Sequence, residues 1–306
     1  MNILVLGGSG FVGQNLKNMI SVDDNVLDFS RSNGCDLRDY KPSKDLIEDF
    51  EPDIIFNIAF HGGSLHYITS YSADVITDNT LMIANLYSIV NSLPKKPKII
   101  NPISNCSYPG GSDIQREREW LLRPVHESVF ASAISKRILY YFSKCYFNQY
   151  GLNSINLIFP NAFGILDHTD PNKTHALDGM IIRMMEAKNK GDKEFEVWGT
   201  GKPIREWIYV EDFCKILLLS SSSYDCIIEP VNVSQSKGYS IKESVSIIKS
   251  LMSYDGDIVF NTAYQDGDPI KILDDAKFKS MFKDYKFTDH LEALDKTIQY
   301  YNSILG

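Results

Sequence analysis

Long apolar runs, excess positive charge and paired cysteines are all missing from this 306-residue chain, and each absence removes a class of protein. No stretch approaches the roughly 18 consecutive apolar residues that would cross a bilayer. The opening MNILVLGG has neither a basic segment nor a small-residue cleavage site, so a cytoplasmic protein without a membrane partner is expected. Lys and Arg number 31 against 39 Asp and Glu, a net charge of −8. That balance argues against a nucleic-acid partner, although a local basic pocket for a phosphorylated small molecule remains possible. The five cysteines, Cys35, Cys106, Cys145, Cys214 and Cys226, are odd in number and contain no Cys-x-x-Cys pair. Neither a disulfide framework nor a metal site is expected. Repeats and low-complexity tracts are absent too, and Ser220 to Ser223 is too short to be a linker. What remains is a chain with 43% hydrophobic residues, enough for one large domain or a domain with a smaller partner.

The most informative stretch that is present runs from Ile3 to Gly13, ILVLGGSGFVG. Four apolar residues lead into Gly7, Gly10 and Gly13, and an amphipathic segment follows from Gln14 to Ile20, the pattern of strand, glycine turn and helix. A phosphate can approach a helix N-terminus only where no Cβ obstructs it, and there it meets unpaired N–H groups at the positive end of the dipole. The segment Gly7, Ser9, Gly10, Phe11, Val12 and Gly13 is therefore the expected cradle of a dinucleotide, with Gly-x-x-Gly-x-x-Gly spacing instead of the simplest fingerprint.

Asn25 to Phe29 reads as a second strand, with two candidates near its end for the adenosine ribose. Asp28 would accept hydrogen bonds from the 2′-hydroxyl of NAD(H), whereas Arg31 would clamp the 2′-phosphate of NADP(H). Arg31 and NADP(H) are favoured, with NAD(H) as the alternative, and Asp36-Leu37 opens the next loop toward the adenine. A helix from about Ser43 to Phe50 precedes the buried-strand pattern Asp53 to Ala59, where Ala59 and His61-Gly62-Gly63 would let the chain pass close to the pyrophosphate. A long helix is expected from Ser72 to Ser92, stopped by Pro94, and then a strand from Lys98 to Ile103. Polar residues cluster at the end of that strand, Ser104-Asn105-Cys106-Ser107-Tyr108-Pro109, where open parallel sheets bind ligands. The helix expected over 128–150 carries Ser132 and Lys136 on one face, and the strand Asn153 to Phe159 leads to Asn161.

This alternation implies an α/β fold, a Rossmann-type doubly wound parallel sheet over 1–165, with later segments returning to it. Residues 166–306 read mainly as a smaller substrate-binding lobe. In it lie His175, a helix from Met180 to Lys188 whose Met180, Met184 and Met185 read as core, and the turn Trp198-Gly199-Thr200-Gly201-Lys202-Pro203. Arg205 is a candidate for gripping phosphate. Further on come a helical stretch from Asp212 to Leu219, a capping box at Ser240 to Glu243, and a closing helix from Leu291 to Asn302.

Taken in order, these segments resemble the extended short-chain dehydrogenase/reductases, and within them the GDP-L-fucose synthase branch, over nearly the whole chain. The resemblance is carried by the glycine loop, His61-Gly62-Gly63, Ser104 to Pro109, Asn148-Gln149-Tyr150-Gly151, Pro171-Asn172-Lys173-Thr174-His175, Val197 to Gly201 and Pro203-Ile204-Arg205-Glu206. It implies that Ser104 hydrogen-bonds the 4-keto oxygen of a nucleotide-sugar substrate and that Lys136 holds the nicotinamide ribose. It implies also that Cys106 and His175 move protons at the carbons flanking the ketone. Inversion there needs a base on one face and an acid on the other, with the carbonyl stabilising the enolate. Arg205 matches an arginine near the diphosphate, where a planar fork suits phosphate oxygens. Further contacts are implied for the substrate at Asn105, Trp198, Lys202 and Lys271 and for the cofactor at Asn161. The guanine base and a homodimer paired through the helices from Ser72 and Ser128 rest on the resemblance alone.

One position departs from that pattern. The family has Tyr-x-x-x-Lys, and this chain has Ser132-Ala133-Ile134-Ser135-Lys136. The missing phenol would protonate the 4-keto oxygen as hydride arrives, a contribution of typically ~10²–10⁴-fold. Ser132 is a much poorer acid, able at most to hold a water. Tyr108 and Tyr140 are the nearby phenols, and both read more naturally as packing residues. Three readings follow: an NADP-dependent epimerase/reductase of a 4-keto, GDP-linked 6-deoxy sugar; an epimerase with little hydride transfer; and a catalytically silent nucleotide-sugar-binding protein.

Overall fold

The computed structural model describes residues 1–111, 114–171 and 173–305; Asn172, within one of the motifs above, lies outside them. In chain order the strands are β1 (Asn2–Leu6), β2 (Asn25–Phe29), β3 (Ile54–Asn57), β4 (Lys98–Ser104), β5 (Ser154–Phe159), β6 (Asn161–Phe163), β7 (Glu194–Trp198), β8 (Ile204–Tyr209), β9 (Ile227–Asn232), β10 (Gly238–Ser240), β11 (Asp257–Asn261) and β12 (Ile270–Lys271). The α-helices are α1 (Phe11–Lys17), α2 (Tyr40–Phe50), α3 (Leu65–Ser70), α4 (Ser72–Ser92), α5 (Phe130–Tyr150), α6 (Ala176–Lys190), α7 (Val210–Ser223), α8 (Ile241–Leu251), α9 (Ala276–Met281) and α10 (His290–Leu305).

Six strands form one parallel sheet in the order β2-β1-β3-β4-β5-β9. Every residue of β3 and β5 is buried, as a sheet covered on both faces requires. Side chains alternate between the faces. Leu4 and Leu6 join the core shared with Leu86, Tyr87 and Val90 of α4 and Leu139 of α5. Ile3 and Val5 join the opposite core with α1, Phe213 and Leu217 of α7 and, further on, Tyr301 of α10. The expected doubly wound α/β architecture is the one observed. Across the middle of the sheet runs a buried amide relay: Asn57 Nδ2 donates to Asn101 Oδ1 (2.9 Å), Asn101 Nδ2 to Asn156 Oδ1 (3.0 Å), and Asn156 Nδ2 to Ser143 Oγ (2.9 Å). Such a chain satisfies one register of β3, β4 and β5 and penalises the others.

The second lobe is built from short pieces. β8 pairs with β6, β10 and β12, and β7 pairs with β11. Glu206 of β8, 1% exposed, ties them together. Its carboxylate accepts the Leu273 and Gln235 N–H groups (2.9 and 2.8 Å) and the Ser234 hydroxyl (2.7 Å).

Several expected boundaries shift for local reasons. The first helix starts at Phe11, directly after Gly10, and ends by Lys17, so it sits three residues earlier than its apolar periodicity suggested. Residues Glu127–Val129 form a 3₁₀ turn, which His126 caps through its ring nitrogen, and α5 proper begins at Phe130. Ile204 to Tyr209, read only as a phosphate-binding segment, is a strand. The capping box at Ser240 and Glu243 is formed in full.

Candidate active site

The glycine loop joins β1 to α1 at the carboxyl edge of the sheet. Gly7 has φ +82°, and a Cβ there would lie 2.8 Å from Ala59 Cα, so the loop passes directly beside the end of β3. A Cβ on Gly13 would stand 2.3 Å from Gly7 O, which is how closely α1 packs on the strand turn. Gly10 precedes α1 without a side-chain cap, leaving the first N–H groups of the helix to a ligand.

The two ribose candidates sit in different surroundings. Asp28 packs under the loop, where a Cβ on Gly8 would meet its carboxylate, and it is ion-paired with Lys17. Lys17 donates to its Oδ2, while its Oδ1 is enclosed without a hydrogen-bond partner. Arg31 stands exposed in the 3₁₀ turn Arg31–Asn33 and donates no side-chain hydrogen bond among the described residues. Asp36 is committed to Arg38, which grips it through Nε and Nη2 and holds its carboxyl below the usual range; Leu37 is buried in the core, so only backbone of this pair is free to face a base. Arg38 also reaches Asp78 (2.6 Å), Asp78 accepts His61 Nδ1 (2.8 Å), and His61 Nε2 meets the Tyr67 hydroxyl (2.9 Å). This charged chain behind the His-Gly-Gly turn was not foreseen.

At the end of β4, Ser104 Oγ accepts the Cys106 N–H (3.3 Å) and the Ser104 carbonyl accepts the Ser107 hydroxyl (2.6 Å), folding the turn that carries Cys106. Arg137 of α5 clamps this turn from behind, donating to the carbonyls of Ser107 (2.8 Å) and Trp120 (2.7 Å). Its neighbour Lys136 donates from Nζ to Pro102 O (3.2 Å) and lies 4.3 Å from the Phe60 ring centroid. Burial pushes the Lys136 ammonium down to about 8, and the nearby Cys106 thiol opposes that shift. Lys271 of β12 is depressed by burial as well, again with Cys106 and the cation of Arg205 within electrostatic reach. Lys271 and Arg205 are register partners across β12 and β8. Lys136 and Lys271 thus both lie within electrostatic reach of Cys106, and Arg205 neighbours Lys271, with the Asp268 carboxylate within reach of both Arg205 and Lys271. Neither Lys271 nor Arg205 has a carboxylate salt bridge among the described residues.

Ser132 lies on α5 one turn before Lys136. It is 5% exposed, and its Oγ is enclosed without a hydrogen-bond partner. The other phenols are engaged elsewhere: the Tyr108 hydroxyl donates to Asn232 Oδ1 (2.8 Å) and that of Tyr140 to Glu229 Oε2 (3.0 Å), and burial raises both above the ordinary phenol range. Asn105 is 1% exposed with both amide atoms unpartnered. His175 precedes α6; its ring lies 5.1 Å from that of Phe11 in the glycine loop, and its Nδ1 meets Asp167. Trp198 is 60% exposed and stacks on Tyr264 at 4.6 Å, with Arg183 5.7 Å above it. Lys202 is exposed at the neighbouring turn, and Asn161 Nδ2 reaches Glu206 O (3.4 Å).

A glycine-cradled helix N-terminus beside a Ser/Cys/Lys cleft defines a class of Rossmann enzymes, and the chain belongs to it: residues 3–234 match the NAD dependent epimerase/dehydratase family. Within that family it is similar to a probable GDP-L-fucose synthase of Drosophila melanogaster, 26% identical over 98% of this chain and 96% of that protein. It is also similar to the GDP-L-fucose synthase of Sinorhizobium fredii, at 30% over 91% and 88%. Among solved structures, a GDP-L-fucose synthetase from Naegleria fowleri bound to NADP aligns with TM-score 0.86 and 26% identity over 98% of this chain and 94% of that one. A GDP-6-OMe-4-keto-L-xylo-heptose reductase from C. jejuni shares the fold at TM-score 0.89 and 20% identity, covering 99% and 97%. By class the chain is a nicotinamide-dependent epimerase/reductase.

Proposed function

We propose that this chain is an NADP(H)-dependent epimerase/reductase acting on a 4-keto sugar carried by a nucleoside diphosphate, with a GDP-linked 6-deoxy sugar as the preferred substrate. The observation that supports it most is that Lys136 and Lys271 both lie within electrostatic reach of Cys106, with Arg205 as the neighbour of Lys271 across the β8–β12 pair and neither Arg205 nor Lys271 in a salt bridge among the described residues. Cations make strong charge-assisted hydrogen bonds to a diphosphate, and a developing oxyanion is stabilised by a donor at the ketone oxygen. Arg205 and Lys271 bind the diphosphate, and Trp198 with Tyr264 offers a flat surface to the base. The Ser104 hydroxyl donates to the 4-keto oxygen, with the Lys136 charge behind it. Cys106 and His175 exchange the protons at the two carbons beside that ketone. The glycine loop and Arg31 hold the nucleotide end of NADP(H), whose chemistry is hydride exchange at C4. Homodimerisation through α4 and α5 is supported by the exposed Leu81, Tyr141, Phe147 and Tyr150, and sedimentation measures it.

The enclosed Ser132 Oγ favours a second reading, in which proton exchange is fast and reduction slow. Purified enzyme incubated in D₂O with a GDP-4-keto-6-deoxyhexose and NADPH separates the two. Deuterium at C3 or C5 together with oxidation of NADPH supports the first, and deuterium alone supports the second. No deuterium and no oxidation would overturn both. Ser132→Tyr is expected to raise the rate of NADPH oxidation by ~10²-fold or more, the usual worth of a general acid.

A further inference from the structure

Behind His175 lies a pair of buried carboxyl groups for which the reaction outlined above has no use. The loop that follows β6 turns back on itself, so that the Asp167 side chain, 0% exposed, faces His175. Its Oδ2 accepts the His175 backbone N–H (2.7 Å) and the Thr174 hydroxyl (3.3 Å), and its two oxygens lie 3.0 and 3.1 Å from His175 Nδ1. One carboxylate thus holds both the main chain and the ring of the same residue. The ring, in contrast, keeps 49% of its surface open. Behind Asp167, Asp178 of α6 is fully buried; its Oδ1 accepts the Gly164 N–H (3.0 Å) and the Tyr301 hydroxyl of α10 (3.3 Å), and its Oδ2 is enclosed without a partner.

We propose that Asp167 is a positioning residue that binds the Nδ1–H of His175, fixing the tautomer and ring orientation and leaving Nε2 as the atom that exchanges protons. This rests on the reading of His175 as a proton-transfer group.

Two buried carboxyls in electrostatic reach do not both ionise readily. Burial, with the charge of Asp167 added, holds the Asp178 carboxyl well above its usual range. Burial also works against ionised Asp167, but the hydrogen bond and charge of His175 outweigh it and Asp167 lies low. The covered half of the ring opposes a charged His175, but the hydrogen bond and charge of Asp167 outweigh this, so the imidazole is raised. The other groups facing this pair are few. His168 contributes backbone, Lys173 is turned to Asp170 (3.9 Å), α10 contributes the Tyr301 hydroxyl, and α1 contributes the uncharged Phe11 ring. Asp167 is the partner in direct contact with the imidazole nitrogen.

The test uses the full chain labelled with ¹⁵N-histidine, titrated without substrate. The wild-type neutral imidazole of His175 is expected as the Nδ1–H tautomer. Asp167→Asn is expected to lower its midpoint by about 1 unit or more, the scale of one adjacent opposite charge. Deuterium incorporation into the substrate is expected to fall about 10²-fold in Asp167→Asn, with partial recovery in Asp167→Glu, as follows when a base loses its orienting carboxylate. An Nε2–H tautomer in the wild type, or an unchanged midpoint in Asp167→Asn, would overturn the proposal. The wild-type tautomer decides the matter even if the variant does not fold. Failure of the wild type to exchange deuterium would count against the epimerase reading alone, because the titration needs no substrate.

Discussion

The six-stranded sheet and the second lobe are stabilised by different means. In the sheet, β3 and β5 are buried along their whole length and β1 pairs residue by residue with both neighbours. Apolar burial of this kind is non-directional and collective, so no single group decides whether the sheet forms. In the lobe the strands run from 2 to 6 residues, and Glu206 of β8 accepts hydrogen bonds from two further segments, at 234–235 and 273. A region held by few, directional polar contacts is sensitive to one substitution or one proton. Under the proposed function, the cofactor would rest on the collectively stabilised sheet and the substrate on the lobe held by few polar contacts.

That contrast can be broken most sharply at Glu206. Removing its carboxylate leaves the Leu273 and Gln235 N–H groups buried and unpaired, at about 1–3 kcal/mol each, so Glu206→Ala is expected to destabilise the protein by about 4 kcal/mol. Chemical denaturation measures this, and a loss below 1 kcal/mol would mean the lobe does not depend on the anchor. The same group carries a pH dependence. Burial raises the Glu206 carboxyl from 4.5 to about 7, against the pull of its hydrogen-bond donors. Between those values the folded state keeps a proton that the unfolded chain has released, so stability declines as pH rises through the window, by about 3 kcal/mol at most. Glu206→Ala is expected to lack that decline.

A smaller effect is expected from the cations. Arg205→Ala is predicted to weaken nucleotide-sugar binding by about 10–100-fold, the worth of one or two charge-assisted hydrogen bonds, while leaving NADPH affinity unaltered. Isothermal titration with each ligand checks both halves of the statement; equal losses for the two ligands would erase the division of labour between the regions. The smallest effect is expected at the rim. Arg31 is exposed, and Arg31→Ala should reduce the preference for NADPH over NADH by about tenfold, near the lower end for a hydrogen bond to a charged group. Competitive fluorescence titration reads the ratio, and an unchanged ratio would assign the 2′-phosphate to another residue.

Legibility in the sequence followed the same division. The bounds of α4 could be read directly because its helical run meets Pro94, and the capping box of α8 is a local pattern completed within four residues. Ser104, Cys106, Lys136 and Arg205 were singled out from ordered motifs. Asp167, Arg137 and Glu206 were not. Each acts across tertiary distance on a partner that no periodicity marks: Asp167 on the ring of His175, Arg137 on carbonyls 30 and 17 residues earlier, and Glu206 on residues up to 67 positions away. The only signals available were their positions beside residues already picked out, Lys136 for Arg137 and Arg205 for Glu206. The short strands β6, β10 and β12, of 3, 3 and 2 residues, carry too little alternation to be read at all.

By itself the amino-acid order determined the glycine turn, the alternation of strand and helix and hence the doubly wound sheet, because each follows from side-chain size, φ preference and periodicity within a short window. It also places a serine, Ser132, four residues before Lys136. The tertiary structure alone decided what that serine can do and which charges meet. It encloses the Ser132 hydroxyl, packs the Asp28 carboxylate against Gly8, and sets Lys271 beside Arg205 on adjacent strands within electrostatic reach of Cys106. Burial and distance set the energy of a charge or a hydrogen bond, and neither exists until the chain has folded.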